Sequence, residues 1–310
     1  MWAGGGEQAS RPLVVNSDDL EAMAATLEAS GRFRVLRQLE PRAPRSAAAG
    51  VVVRNGLFVD VETTGLDPAR DEIIELAMAP FTYDLTGEVL EVGEAFSALR
   101  EPSAPITAQI AALTGITAEM VAGRQIEPEA VMRFAAPAAL VVAHNAAFDR
   151  RFLERYCEVF TTKPWACSMS QVDWAQDGHE GARLAHLAAG AGFFYDKHRA
   201  LNDCLAGIEL LARPMRVSGR PALAHLLDAA RRPSWRIWAE NSPFELKDVL
   251  KARGYRWNAE AAAGPRSWFV DVDETQRETE LQFLQLEIYQ REMDLVVRRI
   301  DAHDRFSDRI

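Results

Sequence analysis

The chain has 310 residues, 48% of them hydrophobic, and a formal net charge of −10 at pH 7. This length predicts one large domain with smaller attachments, and no apolar run reaches the roughly 18 residues of a membrane helix. The N-terminus lacks a secretory signal, so a cytoplasmic protein is predicted. Because the net charge is negative, any contact with nucleic acid is predicted to be local.

Residues 1–50 predict a small N-terminal α+β extension that ends in a linker. A Gly-rich tip comes first, followed by a helix over residues 18–29 that Gly31 closes and a short strand over residues 33–39. The following segment, PRAPRSAAAG, has the composition of a linker.

Residues 51–215 alternate strand-like and helix-like apolar patterns, which predicts an α/β domain. The predicted elements are strands at 57–61, 72–84, 88–97 and 140–143 and helices at 147–159 and 200–212. A turn is predicted near Thr86 and Gly87. Three strands followed by βα units predict a mixed sheet flanked by helices. The cysteines lack CxxC spacing and are predicted to be reduced and packed: Cys157, Cys167 and Cys204.

Residues 216–310 predict a small Trp-rich α+β module that ends in a helix. Its first helix lies in SPFELKDVLKARG, with Ser242 as N-cap, Glu245 completing a capping box and Gly254 as terminator. The strand-like segments RIWAE and SWFVDV flank this helix, and a last helix is predicted over residues 274–302. Along the last helix an apolar stripe recurs at Leu286, Tyr289, Met293, Val296 and Ile300. Packing on the chain's own domain and a homodimer seam both explain such a stripe.

Aromatic and basic residues are dense in this module. It holds four of the seven tryptophans: Trp235, Trp238, Trp257 and Trp268. Between residues 231 and 257, seven basic residues stand against three acidic ones. Basic residues interleaved with aromatic ones suit single-stranded nucleic acid. A miniature core with lysines on a solvated helix face explains the same pattern.

Acidic residues stand at the ends of apolar elements in the α/β domain. Asp60 and Glu62 lie two apart on a strand, so their side chains leave the same face just before TTG ends the strand. Asp149 lies in the first turn of the helix after LVVA, and Asp203 lies in the helix over residues 200–212. Carboxylates as close as those of Asp60 and Glu62 raise each other's pKa unless a cation neutralises them, and hard divalent ions are the usual partners. Taken singly, each carboxylate also fits a solvated strand end or a helix cap.

His198 precedes Asp203 by five residues. On one helix this spacing would place the two side chains roughly 140° apart. His198 is therefore assigned to the loop that contains GFFYDK, and Asp203 to the helix. A mobile histidine over a helix-borne carboxylate is predicted, with a cap or surface histidine as the structural alternative.

The motifs DxETTG, HNxxFD and HRALxD resemble, in their order and spacing, those of the DEDDh exonucleases. This family includes the epsilon proofreading subunit of bacterial DNA polymerase III, RNase T and oligoribonuclease. The resemblance implies an RNase H-like fold with a central five-stranded sheet and two divalent ions, Mg²⁺ or Mn²⁺. It implies that Asp60 bridges both ions, that Glu62 and Asp203 complete the first site, and that Asp149 supports the second. His198 is then the general base.

The implied activity is 3'-5' hydrolysis of nucleic acid, with release of nucleoside 5'-monophosphates. The same match implies positions for the 3' nucleotide: Thr63, Thr64, Leu66, Thr114, Gly115, Ile116, His144, Asn145 and Phe148. A role in turn formation or core packing is the alternative at each position. For Leu66, Ile116 and Phe148, core packing is as well supported as nucleotide binding.

The implied partner is a nucleic-acid 3' end, with single-stranded DNA in repair or proofreading-like trimming as the first hypothesis and RNA as the second. A hypothesis of another class is an interaction protein whose nuclease fold positions the Trp-rich module on a protein partner. The five candidate catalytic positions favour the enzyme. Because all five precede RPMRVSGRP, the C-terminal module is predicted to be dispensable for chemistry.

Overall fold

The computed structural model describes residues 16–259 and 264–309. The Gly-rich tip predicted at the N-terminus lies outside these residues. The described chain begins with helix α1 (Ser17–Ala29), whose first turn is capped by Asn16 accepting from the Asp19 N–H at 2.8 Å. Strand β1 (Arg37–Gln38) follows and pairs in parallel with β8 (Phe193–Phe194). The strand predicted over residues 33–39 shrinks to two residues because its partner is only two residues long.

The largest sheet has six strands in the described part of the chain. They are β2 (Val53–Thr63), β3 (Ile73–Asp84), β4 (Val89–Val92), β5 (Phe96–Leu99), β6 (Leu140–Ala143) and β7 (Trp165–Cys167). Their order is β4-β3-β2-β6-β7, and β5 also pairs with β3. Strands β3, β4 and β5 run antiparallel to their neighbours, whereas β6 and β7 are parallel to β2. The predicted mixed sheet is confirmed.

The outer edge of this sheet differs from the prediction of one strand over residues 88–97. Strand β4 pairs with the Phe81–Tyr83 part of β3, and β5 pairs with the Glu75–Met78 part. The strand is interrupted between them at Gly93, whose N–H donates to the Pro80 carbonyl at 2.8 Å. The sheet is therefore five strands wide because two short strands share one edge.

Helices cover both faces of the sheet. They are α2 (Ala108–Thr114), α3 (Ala118–Val121), α4 (Pro128–Ala135), α5 (Ala146–Tyr156), α6 (Val159–Thr162), α7 (Leu184–Gly190), α8 (Ala200–Ala212) and α9 (Ala222–Arg231). Side chains alternate along β2, so Phe58 joins the buried cluster with α8 and α9, whereas Leu57 and Val59 join the cluster with α4 and α5. The helix predicted over residues 147–159 ends at Tyr156, because Cys157 is extended.

Four strands of the described chain form a second, antiparallel sheet in the C-terminal module. They are β9 (Ser234–Ala239), β10 (Arg256–Trp257), β11 (Trp268–Asp273) and β12 (Val297–Ile300), in the order β10-β11-β9-β12. The helical segments beside them are a 3-10 turn (Phe244–Leu246), α10 (Lys247–Ala252), α11 (Arg277–Phe283) and a π-helical turn (Leu284–Tyr289). The predicted α+β composition of the module is confirmed.

The terminal helix predicted over residues 274–302 is wrong. The helical segment ends at Tyr289, and residues 297–300 form β12, which pairs with β9. Pairing with a strand distant in the sequence outweighs the local helical pattern. The stripe from Leu286 to Ile300 is therefore not a helix face, and the homodimer seam that depended on it has no support.

The helix start predicted at Ser242 is also wrong. Pro243 is extended, the helix opens as a 3-10 turn at Phe244, and among the described residues no side chain caps it. Gly254 does end the helical segment as predicted, in a left-handed conformation with φ of 91°.

All three cysteines are buried and free of disulfides, as predicted. Among the described residues, no helix combines the length and the apolar character that crossing a membrane requires.

The last residues of the described chain return to the main domain. The Trp165 N–H at the start of β7 donates to the Ala302 carbonyl at 2.7 Å. The Arg150 guanidinium of α5 donates to the carbonyls of His303 and Arg305. Residues 301–309, called the C-terminal tail below, thus pack beneath the α5 helix.

Candidate active site

Among the described residues, three carboxylates converge at the carboxyl end of β2. One oxygen from each of Asp60, Glu62 and Asp203 lies within 4.8 Å of the others. Asp60 and Glu62 share the β2 face that carries Phe58, and Asp203 lies in the first turn of α8. A Cβ on Gly207 would lie only 2.2 Å from the Phe58 ring, so glycine allows α8 to lie close against β2. This close approach brings Asp203 to the strand end.

Asp149 approaches the same strand end from the α5 side. It is 2% exposed, and its Oδ1 accepts from the Val61 N–H at 3.2 Å. Val61 stands between Asp60 and Glu62 in β2. The backbone therefore holds the fourth carboxylate beside the other three.

The electrostatics of this carboxylate cluster are unfavourable without a cation. Burial, then the charges of Asp149 and Asp203, raise the pKa of Asp60 well above its usual range. Burial raises the pKa of Glu62 to about 7 and that of Asp149 to about 8, and it also raises the pKa of Asp203. Among the described residues, none of these carboxylates forms an ion pair. Hard oxygen ligands crowded together without an ion-pair partner fit a divalent cation such as Mg²⁺ or Mn²⁺.

The loop before α8 holds Asp203 by both oxygens. The Tyr195 hydroxyl donates to Oδ1 at 2.8 Å, and the His198 N–H donates to Oδ2 at 2.9 Å. His198 is partly exposed and has a φ of 63°, so it lies in the loop, as the five-residue spacing predicts, while α8 begins at Ala200. The backbone of His198 is thus tied to a carboxylate of the cluster.

An ion pair between a buried glutamate and an exposed arginine beside the cluster was not anticipated from the sequence. Glu75 on β3 is directly opposite Glu62 on β2 and is almost completely buried. Its carboxylate accepts from the Arg199 guanidinium at 2.9 Å and from the Ala200 N–H at 3.0 Å. These contacts fix the start of α8 against the sheet. The signal was a single glutamate in the apolar strand IIELAMA, whereas no local pattern indicates Tyr195.

The candidate nucleotide-binding residues after β2 form a turn. The Thr63 hydroxyl donates to the Gly65 carbonyl at 2.6 Å. The Thr64 hydroxyl donates to Asp71 at 3.1 Å and accepts from the Glu72 N–H at 3.0 Å. Leu66 is exposed at the tip of this turn. The two threonine side chains are therefore engaged by protein atoms, whereas Leu66 is accessible.

The candidates around the end of α2 make the contacts of a helix terminus and of a core. The Thr114 hydroxyl donates to the Ile110 carbonyl at 2.9 Å and accepts from the Ile116 N–H at 3.1 Å. Gly115 is left-handed with φ of 70°. Ile116 is fully buried in a cluster with Ile74.

The candidates before Asp149 differ in accessibility. The His144 ring nitrogens contact the Ser168 hydroxyl at 2.8 Å and the Ala182 carbonyl at 2.7 Å, and burial lowers the pKa of His144 to about 4. Asn145 is exposed and left-handed at the N-terminus of α5. Phe148 is half-buried, with its ring centroid 4.9 Å from that of Phe152.

Comparison with known proteins places this site in a family. The family model described as Exonuclease, named for RNase T, matches residues 57–211, half of the chain. The DNA polymerase III subunit epsilon-like protein of Rhodobacter capsulatus is 34% identical over 184 residues, which cover 56% of this chain and 25% of that protein. The PolC-type DNA polymerase III of Thermotoga petrophila is 34% identical over 124 residues, which cover 39% of this chain and 8% of that protein.

One solved structure with a similar chain is Exonuclease X in complex with 5' overhanging duplex DNA. It is 28% identical, with a TM-score of 0.42, over 56% of this chain and 99% of that one. The family model covers the strand and helices that carry Asp60, Glu62, Asp149 and Asp203. The chain belongs to the DEDD family of 3'-5' exonucleases, the RNase T and epsilon-like group.

Proposed function

We propose that this chain is a DNA-directed 3'-5' exonuclease that releases nucleoside 5'-monophosphates from single strands. The convergence of Asp60, Glu62 and Asp203 on one point, with Asp149 beside them, carries this proposal. The Rhodobacter and Thermotoga relatives, both named as DNA polymerase III proteins, support DNA as the substrate. Trimming of 3' ends in DNA repair or proofreading is the setting that we propose.

The carboxylates would hold two divalent ions, Mg²⁺ or Mn²⁺. Asp60, Glu62 and Asp203 would form one site, and Asp60 with Asp149 the other. Such a pair of ions activates a water for in-line attack and stabilises the departing 3' oxygen. The raised pKa of Asp60 supports this assignment, because burial and the neighbouring carboxylates make its ionisation costly until a cation is present.

His198 would accept the proton of the attacking water. Histidine can accept and release protons near neutral pH, and this residue is partly exposed beside Asp203. The hydrogen bonds from Tyr195 and from the His198 backbone keep Asp203 oriented while the imidazole acts. Leu66, exposed after β2, is the candidate to pack against the terminal base or sugar.

The experiment that tests this function compares 5'-labelled single-stranded DNA, duplex DNA and RNA with Mg²⁺, with Mn²⁺ and with chelator. We expect progressive shortening of single-stranded DNA with either metal and none with chelator. Faster shortening of RNA than of DNA would make RNA the substrate and would leave the proposed chemistry unchanged. Absence of cleavage of all three substrates would overturn the proposed function.

A further inference from the structure

A cleft of about 660 Å³ lies between the main domain and the C-terminal module. The main domain contributes the start of α5 and the segment after β7, and the module contributes β9, β10 and β11. The lining residues that matter below are Asn145, Arg151, Trp238, Arg256, Trp257 and Phe269. Three arginines, four aromatic side chains and two aspartates line this one space.

Trp257 offers an aromatic surface in this cleft. It is 54% exposed, which is unusual for a tryptophan, and its ring packs at 70° against Trp268 with centroids 5.7 Å apart. That contact supports the ring while leaving much of it accessible. Trp238 is a buried lining residue, and its indole N–H has no hydrogen-bond partner within residues 16–259 and 264–309. That nitrogen is itself buried, so Trp257 is the aromatic surface that the cleft offers to a ligand.

The rim of the cleft carries exposed positive charge. The Arg256 side chain is 65% exposed and pairs with Asp271 at 3.1 Å. Arg151, on the facing helix α5, has a side chain that is 37% exposed and pairs with Asp308 at 2.6 Å. Exposed pairs of this kind are weak, so phosphates can compete for both guanidinium groups. In a chain with a net charge of −10, the cleft gathers three arginines beside two aspartates.

Helix α5 links the cleft to the carboxylate cluster. Asn145 lines the cleft and immediately precedes α5, whereas Asp149 lies in the first turn of the same helix. The two residues are separated by about one helical turn, or roughly 6 Å along the axis. A strand whose 3' end lies at the carboxylates can therefore extend across the start of α5 into the cleft.

We propose that this cleft binds the nucleotides that precede the 3' end of a single strand during hydrolysis. Trp257 stacks on a base, and Arg151 and Arg256 contact phosphates. Aromatic stacking combined with backbone charge is how proteins hold single strands without reading their sequence. The inference rests on the proposed exonuclease function and deepens it by adding a site for longer substrates.

Binding of single-stranded DNA is the direct test. An oligonucleotide of about 16 nucleotides, the upper end of typical single-strand sites, is titrated in an Asp203→Asn background that prevents its degradation. We expect Trp257→Ala to weaken binding about 5- to 150-fold, the equivalent of one base–aromatic stack. Arg256→Gln should reduce the slope of log affinity against log salt by about 0.7, the value for one phosphate contact on a single strand.

Two exposed residues outside the cleft give matched controls. Phe244→Ala removes an exposed aromatic ring of the same module, and Arg298→Gln removes a 45% exposed arginine that also has one aspartate partner, Asp304. Both controls should bind the strand as the parent does. Trp257→Phe should recover much of the affinity, which separates loss of stacking from loss of folding.

Equal affinity and equal salt slopes in the cleft variants and the controls would overturn the proposal, and a protein segment in the cleft would give that result. Turnover in the Asp203-containing enzyme adds a second readout. The ratio of kcat/KM for the longer strand to that for a dinucleotide should fall in Trp257→Ala. If wild type cleaves neither substrate, the exonuclease function fails, whereas the binding result still decides whether the cleft holds the strand.

Discussion

At the scale of single residues, the four clustered carboxyl groups determine how the stability of the metal-free protein depends on pH. Burial raises the pKa of Glu62 to about 7 and that of Asp149 to about 8. In the unfolded chain such groups titrate near pH 4. Between about pH 4 and pH 8 the folded protein keeps protons that the unfolded chain has lost, so the free energy of unfolding in chelator falls as the pH rises.

Thermal unfolding in chelator at pH 5 and at pH 8 measures this effect. The Asp60→Asn variant separates the contribution of the cluster from that of other titrating groups, because the substitution removes one of the repelling charges. The variant should gain stability relative to wild type at pH 8 and gain little at pH 5. Added Mg²⁺ or Mn²⁺ should stabilise wild type more at pH 8. A variant that is markedly less stable than wild type in chelator at pH 8 would contradict this account of the cluster.

His198 is expected to act on the proton rather than on the metal. Replacement by asparagine is the cleaner test, because asparagine tolerates the left-handed backbone that His198 adopts. His198→Asn should lower kcat by about 10²- to 10⁴-fold, the usual effect of removing a general base. The Mg²⁺ concentration for half-maximal rate should stay similar. Recovery of full turnover at high metal would instead make His198 a ligand.

Tyr195 is expected to position Asp203 through its hydroxyl hydrogen bond. Loss of a partner that orients a metal ligand typically costs 10- to 100-fold in metal affinity or activity. Tyr195→Phe should therefore raise the Mg²⁺ concentration for half-maximal rate by about 10-fold or more. Tyr289→Phe is a matched control, since that hydroxyl donates to the Glu240 carbonyl in the C-terminal module. Identical metal curves for both variants would remove Tyr195 from the site.

At the scale of elements, the C-terminal tail is structurally part of the main domain. Arg150 is fully buried next to Asp149 in α5. Its guanidinium donates to Glu154 at 2.7 Å and to the carbonyls of His303 and Arg305 at 2.6 and 2.7 Å. A buried cation requires such acceptors, so the tail stabilises the helix that carries a carboxylate of the site.

Arg150→Ala should therefore destabilise the protein by about 3–5 kcal/mol, as expected when one partner of a buried ionic network is removed. Urea-induced unfolding measures the loss. The neighbouring Arg151 contacts the same tail through Asp308 but is exposed. Arg151→Ala should cost less than about 1 kcal/mol. Similar small losses in both variants would show that the tail is not a structural support for α5.

This arrangement changes the sequence-based expectation that the C-terminal module is dispensable. A truncation near Ser218 removes α9, whose Leu223 and Leu227 lie in the main core cluster. It also removes the tail that satisfies Arg150. Inactivity of such a fragment would report on folding as well as on chemistry. Single substitutions in the cleft test the role of the module more cleanly.

At the scale of the whole molecule, local patterns were predictable and distant pairings were not. Strand β6 and helix α8 begin and end where the sequence predicts, because each has one clear period and a clear boundary. The terminal helix was wrong because β12 pairs with β9, a contact that no local window contains. The split of the predicted edge strand at Gly93 has the same origin, since two parts of β3 select two partners.

In the site, too, local features could be predicted from the sequence and distant contacts could not. Motif spacing indicated Asp60, Glu62 and Asp203, and the structure brings these three carboxylates together. Each carboxylate lies in a strand or helix that its local sequence predicts, so the order and spacing of the motifs indicated the site. The contacts that hold the surrounding helices in place were missed, because the Glu75–Arg199 pair and the tail beneath α5 join segments more than a hundred residues apart.

The central claim is that this carboxylate cluster removes nucleotides from the 3' end of a strand with the help of divalent metal. The most direct measurement follows 5'-labelled single-stranded DNA with Mg²⁺ in wild type and in Asp203→Asn. We expect a ladder of progressively shorter labelled strands and nucleoside 5'-monophosphates in wild type, and neither in the folded variant. Release of the label first as a mononucleotide, or degradation by Asp203→Asn at the wild-type rate, would contradict it.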